Sequence, residues 1–336
     1  MKDIGPKKIL IIKLLALGDI LQTTPAIRLL KQNHPTYLID HLVFEPYKGV
    51  TQNNKYINRV ITVNKNKVKL KRFPYVFRLL MTIRSARYDV IINFHPNRAI
   101  RFACKFFGSK KVLHTNPSMK MIKRYNGAIF QEVISNNFEG ISVGIDNQIM
   151  DFFINDKNVS DYFKNSLPRD FICIQSGGGN NLGESSTIRR WPVEHYIDLI
   201  KSIRKRSSIA ILLTGNSADY EIAHAIESGF AGIINLCGKT NLDELAYIFS
   251  KSRLNISGDT GAMHFAATTE TPLIALFGPT DPVKMLPRRD EITLIKTSVN
   301  CSPCYFGTYE GCKTGQENCM KAIDVETVFN CVKNYL

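Results

Sequence analysis

The strongest constraint on what this chain can fold into is an alternation, met twice, of short continuous apolar runs with segments of helical spacing. "KKILIIKLL" (7–15) is an apolar run of strand length, flanked by Lys and followed by Gly. "PAIRLLKQNHP" (25–35) has helical spacing and stops at Pro35, while "YLIDHLVF" (37–44) and "NRVITV" (58–63) read as strands. "FPYVFRLLMTIRSARY" (73–88) is helical and "DVIINFH" (89–95) is a strand again. Strands alternating with helices predict a parallel sheet with helices on both faces. The pattern loosens over 140–170, then restarts with "FICIQSGGG" (171–179). There follow helix 193–206, strand 209–215, helix 217–228, strand 233–238, helix 242–252, strand 254–259 and strand 272–278. A chain of 336 residues suits two domains of about 150 residues each. The boundary falls within 160–168, giving domains 1–165 and 166–336. Ligands of such sheets bind at the carboxyl ends of the strands.

The ends of these strands carry the residues of interest. After the first comes "LLALGDILQTTPAI": Asp19 stands at a helix start, with Gln22 three residues on. That spacing fits a capping box, and Pro25 with Thr24 as cap fits equally. A carboxylate there also suits a base that takes a proton from an attacking hydroxyl. "SGGG" (176–179) lets the backbone approach a ligand closely, yet neither a Walker loop nor a G-x-G-x-x-G fingerprint is present. "SSTIRRWP" follows, with hydroxyls, Ser185 first, and two arginines before the only tryptophan. Arg189 or Arg190 can hold a diphosphate in a bidentate manner, or be a surface pair before a helix. Glu221 lies in the helix after "TGNSAD", where it is a solvated residue or a contact to a sugar hydroxyl or ribose. Finally, "DTGAMHFAATTETPLIALFGPTDP" (259–282) places Asp259 at a strand end, Thr260 and Gly261 at a helix start, and His264 one turn on. Unpaired N–H groups and the helix dipole at such a junction favour an anion.

Charge narrows the partner. Residues 1–165 hold 27 Lys and Arg against 11 Asp and Glu, and residues 166–336 hold 17 against 18. The whole excess lies in front, which fits an acidic partner such as nucleic acid, anionic lipid or a phosphorylated glycolipid, or else a solvated basic surface. No apolar run nears the roughly 18 residues of a membrane span. The N-terminus is not read as a signal peptide, because Lys13 interrupts its apolar run and Gly18-Asp19 stands where a cleavage site belongs. A cytoplasmic chain is expected.

Together these pieces resemble glycosyltransferase family 9, the bacterial heptosyltransferases of lipopolysaccharide core assembly. The resemblance rests on "KLLALGDILQTTPAIRLLKQNHP", "IRRWPVEHYIDLI" and the 259–282 stretch, with the late "CSPC…C…CM" in support. It implies a GT-B architecture of two Rossmann-like α/β domains facing a cleft, acceptor in front and nucleotide sugar behind. It implies inverting transfer without a catalytic metal or cofactor, from an ADP-activated heptose to an anionic glycolipid at the inner face of the inner membrane. Asp19 matches the proposed base and Arg189 the diphosphate cation, where many members have Lys. Glu221 matches the ribose contact, Asp259 the sugar contact, and Thr260, Gly261 and His264 surround the diphosphate, with Ser185 added to the donor set. No D-x-D motif ends a strand, so cationic side chains and helix dipoles must neutralise the leaving group.

Cys301, Cys304, Cys312 and Cys319 can place four thiolates around one structural ion, zinc or iron, or else pack as reduced thiols under a loop. The competing readings are a GT-B enzyme with another nucleotide sugar or a protein acceptor, and a basic nucleic-acid-binding module with a metal knuckle. The front half lacks the aromatic-plus-basic motifs of RNA-binding folds, which disfavours the last.

Overall fold

A computed structural model describes residues 6–69, 73–115, 124–144, 148–178, 180–181, 184–185, 187–304, 312 and 314–336, with backbone alone at 69, 180–181, 184–185 and 187. The chain divides into two compact units, Met1–Phe153 and Ile154–Leu336. No helix among the described residues is long and apolar enough to cross a membrane.

The front unit is built on β1 (Lys8–Ile12), β2 (Leu38–Phe44), β3 (Arg59–Val63), β4 (Val90–Asn93) and β5 (Lys111–His114). They pair in parallel in the order β3-β2-β1-β4-β5. The central strand is the one whose apolar run is unbroken, and Ile9 to Ile12 are wholly buried. Around the sheet run α1 (Leu17–Leu21), α2 (Thr24–Asn33), α3 (Lys65–Lys69), α4 (Phe73–Ser85), α5 (Arg98–Ala103) and α6 (Asn126–Ser135). Helix α2 starts with Pro25 in its first turn and buries Ala26, Ile27, Leu29 and Leu30 against β1 and α6. Its N-cap is Thr23, without a side-chain cap bond, so the reading of Thr24 as cap does not hold.

This unit also buries titratable side chains. His41 in β2 is fully enclosed, with Nδ1 3.3 Å from Thr51 Oγ1. Burial pushes its imidazole down to about 3, and that of His95 down to about 4. Unfolded, both accept a proton near 6.5. The stability gained by keeping them neutral is therefore complete above about pH 6.5 and lost as the pH falls towards 4, at about 1.4 kcal/mol per pKa unit. The melting temperature is expected to fall over that interval, and His41→Asn is expected to flatten the slope in calorimetric scans. An equal slope in wild type and variant would remove His41 from the account.

The rear unit starts with α7 (Asp161–Asn165) and β6 (Phe171–Gln175), followed by a short antiparallel pair, β7 (Asn180–Asn181) and β8 (Glu184–Ser185). Then come α8 (Val193–Arg204), β9 (Ala210–Thr214), α9 (Tyr220–Glu227), β10 (Ile233–Asn235), α10 (Leu242–Lys251) and β11 (Leu254–Gly258). Helix α11 (Gly261–Ala266), β12 (Leu273–Phe277) and β13 (Ile292–Lys296) complete a parallel sheet in the order β10-β9-β6-β11-β12-β13. Trp191 is fully buried, edge-on to Tyr196 at 5.0 Å, and its Nε1 donates to the Ile323 carbonyl at 2.9 Å. An indole tolerates full burial only when its N–H finds an acceptor. The helix Val325–Val332 packs on α8 and puts Val328 and Val332 in the same core.

The sequence boundary at 165/166 and the structural one at 153/154 differ because residues 154–165 are tied to α10. The Asn155 amide and Asn158 Nδ2 donate to the Asp243 carboxylate at 2.8 and 2.7 Å, and the Ser160 amide to Glu244 at 3.2 Å. These are polar attachments, so no apolar period announces them.

Candidate active site

In the front unit, the chain leaves β1 and enters α1. Ala16 is the N-cap, with no side-chain cap bond, and Asp19 lies in the first turn. The capping reading of Asp19 is thus corrected, for its carboxylate is engaged elsewhere: Oδ2 lies 3.0 Å from Lys13 Nζ. Lys13 is only 5% exposed and its ammonium sits 5.6 Å from the centre of the Phe130 ring. The Asp19 side chain keeps 39% of its exposure, so a solvent-borne hydroxyl can reach it.

His95 follows β4, the neighbour of β1, at the same carboxyl end of the sheet. Its amide donates to Asn93 Oδ1 at 3.0 Å, and its buried Nδ1 finds no hydrogen-bond partner among the described residues. Burial first and the Lys13 ammonium second lower its imidazole to about 4, with Asp19 opposing. The carboxylate therefore has a buried ammonium 3.0 Å away, and the His95 imidazole lies within its electrostatic reach. Neither Lys13 nor His95 was picked out as a site residue from the sequence. The signal was present for Lys13, a cation interrupting an otherwise buried strand.

In the rear unit, β11 ends at Gly258 and Asp259 follows. Arg189 is buried, and its Nη1 stands 3.4 Å from Asp259 Oδ2. His264 Nε2 lies 3.9 Å from Asp259 Oδ1. Thr260 caps α11, its Oγ1 accepting from the Met263 amide at 3.4 Å and lying 3.4 Å from Ser257 Oγ. Asp259, Thr260, Gly261, His264 and Arg189 are thus brought together at the carboxyl end of β11. The separation of 3.4 Å is looser than the 2.7–2.9 Å of a tight charge-assisted pair.

Two glycines shape this end of the sheet. A Cβ on Gly258 would stand 2.9 Å from the Arg189 carbonyl oxygen, and one on Gly177 would lie 2.2 Å from the Asp219 carboxyl carbon. Asp219 is the third residue of a capping box with Asn216, and burial raises its carboxyl. Glu221 is exposed in the first turn of α9, outside the Arg189–Asp259–His264 cluster. The side chain of Ser185 and all of Ser186 lie outside the described residues.

The four late cysteines line one cavity of about 10 Å³, room for one small atom, together with Ile188, Pro279, Thr314, Glu317 and Asn318. Cys319 is buried there, and its thiol is pushed up to about 11 by burial, with Cys304, Cys301 and Cys312 adding to the shift. Cys312 is lowered to about 7 by the Thr314 hydroxyl, 3.3 Å away, and by the Glu317 amide, also at 3.3 Å. An all-thiol donor set suits a soft tetrahedral ion. Even so, no group of three or more His, Cys, Asp or Glu among the described residues is placed as a ligand shell. Cys104, Cys173 and Cys237 are ordinary buried thiols, pushed up by burial.

With the geometry in place, comparison with known proteins gives a consistent answer. The chain is 26% identical over 302 residues to lipopolysaccharide heptosyltransferase 3 of Escherichia coli K12, a match covering 82% of this chain and 83% of that one. The structure of a glycosyltransferase family 9 protein from Veillonella parvula superposes with a TM-score of 0.78 at 20% identity, covering 99% and 98% of the two chains. E. coli ADP-heptose lipopolysaccharide heptosyltransferase II does so with a TM-score of 0.75 at 19% identity, covering 98% of each. Both share the GT-B arrangement of two parallel-sheet α/β domains. The model of glycosyltransferase family 9 (heptosyltransferase) matches residues 76–310. On this match over more than half of its length, the chain belongs to glycosyltransferase family 9 and is a glycosyltransferase.

Proposed function

We propose that the protein moves a heptose from ADP-heptose to a hydroxyl of a lipopolysaccharide-core or related acidic acceptor, with inversion. The observation that carries this reading is the buried Arg189–Asp259–His264 cluster at the end of β11, in a chain whose relatives are heptosyltransferases. Asp19 accepts the proton of the acceptor hydroxyl. The hydroxyl oxygen bonds to the anomeric carbon from the face opposite ADP, and the bond to the diphosphate breaks. Arg189 and the first amides of α11 meet the negative charge that develops on the leaving ADP. Asp259 orients the sugar, Glu221 the ribose, and Ser185 joins the donor set. The basic front unit suits an acidic acceptor, at the cytoplasmic face of the inner membrane. The test is titration calorimetry with ADP, UDP and GDP. Binding of ADP alone is the expected result. Binding of UDP or GDP instead would keep a GT-B enzyme and discard the heptose donor, and binding of none would overturn the reading.

A second reading concerns the cysteines. We propose that Cys301, Cys304, Cys312 and Cys319 hold one structural zinc or iron, which leaves no open position for chemistry. Purified protein is expected to carry about one equivalent of metal by mass spectrometry. Cys304→Ser is expected to lose the metal and lower the melting temperature. Metal-free wild type with four readily alkylated thiols would dismiss the site.

A further inference from the structure

We infer that α4 and the Phe102–Phe106 turn form a docking surface for a bilayer of anionic phospholipid. The inference extends the acceptor reading above to the lipid in which such an acceptor is embedded. Helix α4 reads FPYVFRLLMTIRS, yet Ile83 is its only buried residue. Phe73 is 76% exposed and Phe77 52%, their rings stacked at 6.0 Å one turn apart, and Met81 continues the stripe. Helix α5 likewise buries no side chain, and Phe102 and Phe106, both exposed, meet edge-on at 5.2 Å. The two elements meet near the C-terminal end of α4, where Arg84 donates to the Phe106 carbonyl at 3.4 Å and packs beneath Gly108. Of the thirteen large hydrophobic side chains exposed among the described residues, seven fall between Val68 and Phe106. Clustering of that kind marks an interaction surface.

Charge identifies what covers it. Between Glu45 and Glu132 the sequence holds nineteen Lys and Arg and a single acid, Asp89. Arg78, Arg84 and Lys105 stand exposed beside the aromatic residues, and Lys105 Nζ lies 5.8 Å from the centre of the Phe102 ring. Two copies of so basic a face repel one another, which disfavours self-association. Nucleic acid would satisfy the cations, but Met81 and Val76 beside the rings offer no stacking face for bases. Apolar side chains on a helix with basic neighbours match a bilayer interface, where rings enter the acyl boundary and cations meet the headgroups. Each such cation contributes about fivefold in affinity.

The test uses the full chain and sedimentation with vesicles of phosphatidylcholine, with and without phosphatidylglycerol. Wild type is expected to bind the anionic vesicles at least tenfold better, with added salt weakening the binding. Phe73→Ser/Phe77→Ser and Arg78→Glu/Lys105→Glu are each expected to lose most of that binding while keeping ADP affinity. Because the sole native tryptophan is buried, Phe77→Trp supplies an independent reading, an emission blue-shift on anionic vesicles alone. Equal sedimentation with both vesicle types, or variants that bind like wild type, would overturn the inference. So would variants that lose oligonucleotide binding or self-association and keep vesicle binding. ADP binding without vesicle binding would leave the transferase standing and remove the docking surface. Vesicle binding without ADP binding would do the reverse.

Discussion

Asp19→Asn is expected to lower kcat by roughly 10²- to 10⁴-fold, the usual contribution of a positioned general base. The amide keeps the size of the carboxylate and cannot take the proton. ADP affinity should hold, because Arg189 and Asp259 belong to the other unit. The substitution also strips Lys13, almost wholly buried, of the carboxylate 3.0 Å from its ammonium. Removing one member of such a pair leaves a charge uncompensated, so some loss of stability is expected alongside. Lys13→Met/Asp19→Asn separates the two effects: it should regain the melting temperature and remain inactive. A single variant that turns over within about threefold of wild type would exclude Asp19 as the base, since even the weakest general bases contribute more.

Arg189→Ala is expected to weaken ADP binding by about 10- to 100-fold. A hydrogen bond to a charged group is worth about 1.5–3 kcal/mol, and 1.4 kcal/mol is a factor of ten. Arg189→Lys restores the charge without the planar fork and should recover part of the affinity. In the alanine variant Asp259 stays buried without its cation, which costs about 3–5 kcal/mol in comparable pairs. Calorimetry should therefore be paired with thermal melting, and Arg189→Ala/Asp259→Asn should recover stability but not affinity. Unchanged ADP binding in a folded alanine variant would move the diphosphate site elsewhere.

How much of this was legible in advance depended on which forces hold each part. Buried strands advertise themselves: β1, β6, β11 and β12 were anticipated to within a few residues, since an unbroken apolar run tolerates few other fates. The edge strands β5 and β13 went unread because their sequences, KVLH and ITLIK, mix polar with apolar, whereas the other two edge strands, β3 and β10, were anticipated. Helix α6 was passed over as well, though it buries Ile129, Phe130 and Ile134. In the site, Asp259, Thr260 and His264 were marked because a strand-to-helix junction has a chemical signature of its own. The pairing of Lys13 with Asp19 joins residues across a turn, and His95 reaches the same place from a different strand. Spacing along the chain cannot show either.

The glycines at the carboxyl ends of β6 and β11 set what an engineer, or evolution, can vary. Gly258 has the Arg189 carbonyl where a side chain would begin, and Gly177 has the Asp219 carboxyl group there. On the proposed function, these two positions beneath the diphosphate are closed to substitution, whichever sugar or base is wanted. Substitution meets no such closure at Glu221, exposed in the first turn of α9 and proposed above to contact the ribose. On the proposed role of Glu221, a library aimed at nucleotide preference belongs on that turn, with the glycines left untouched.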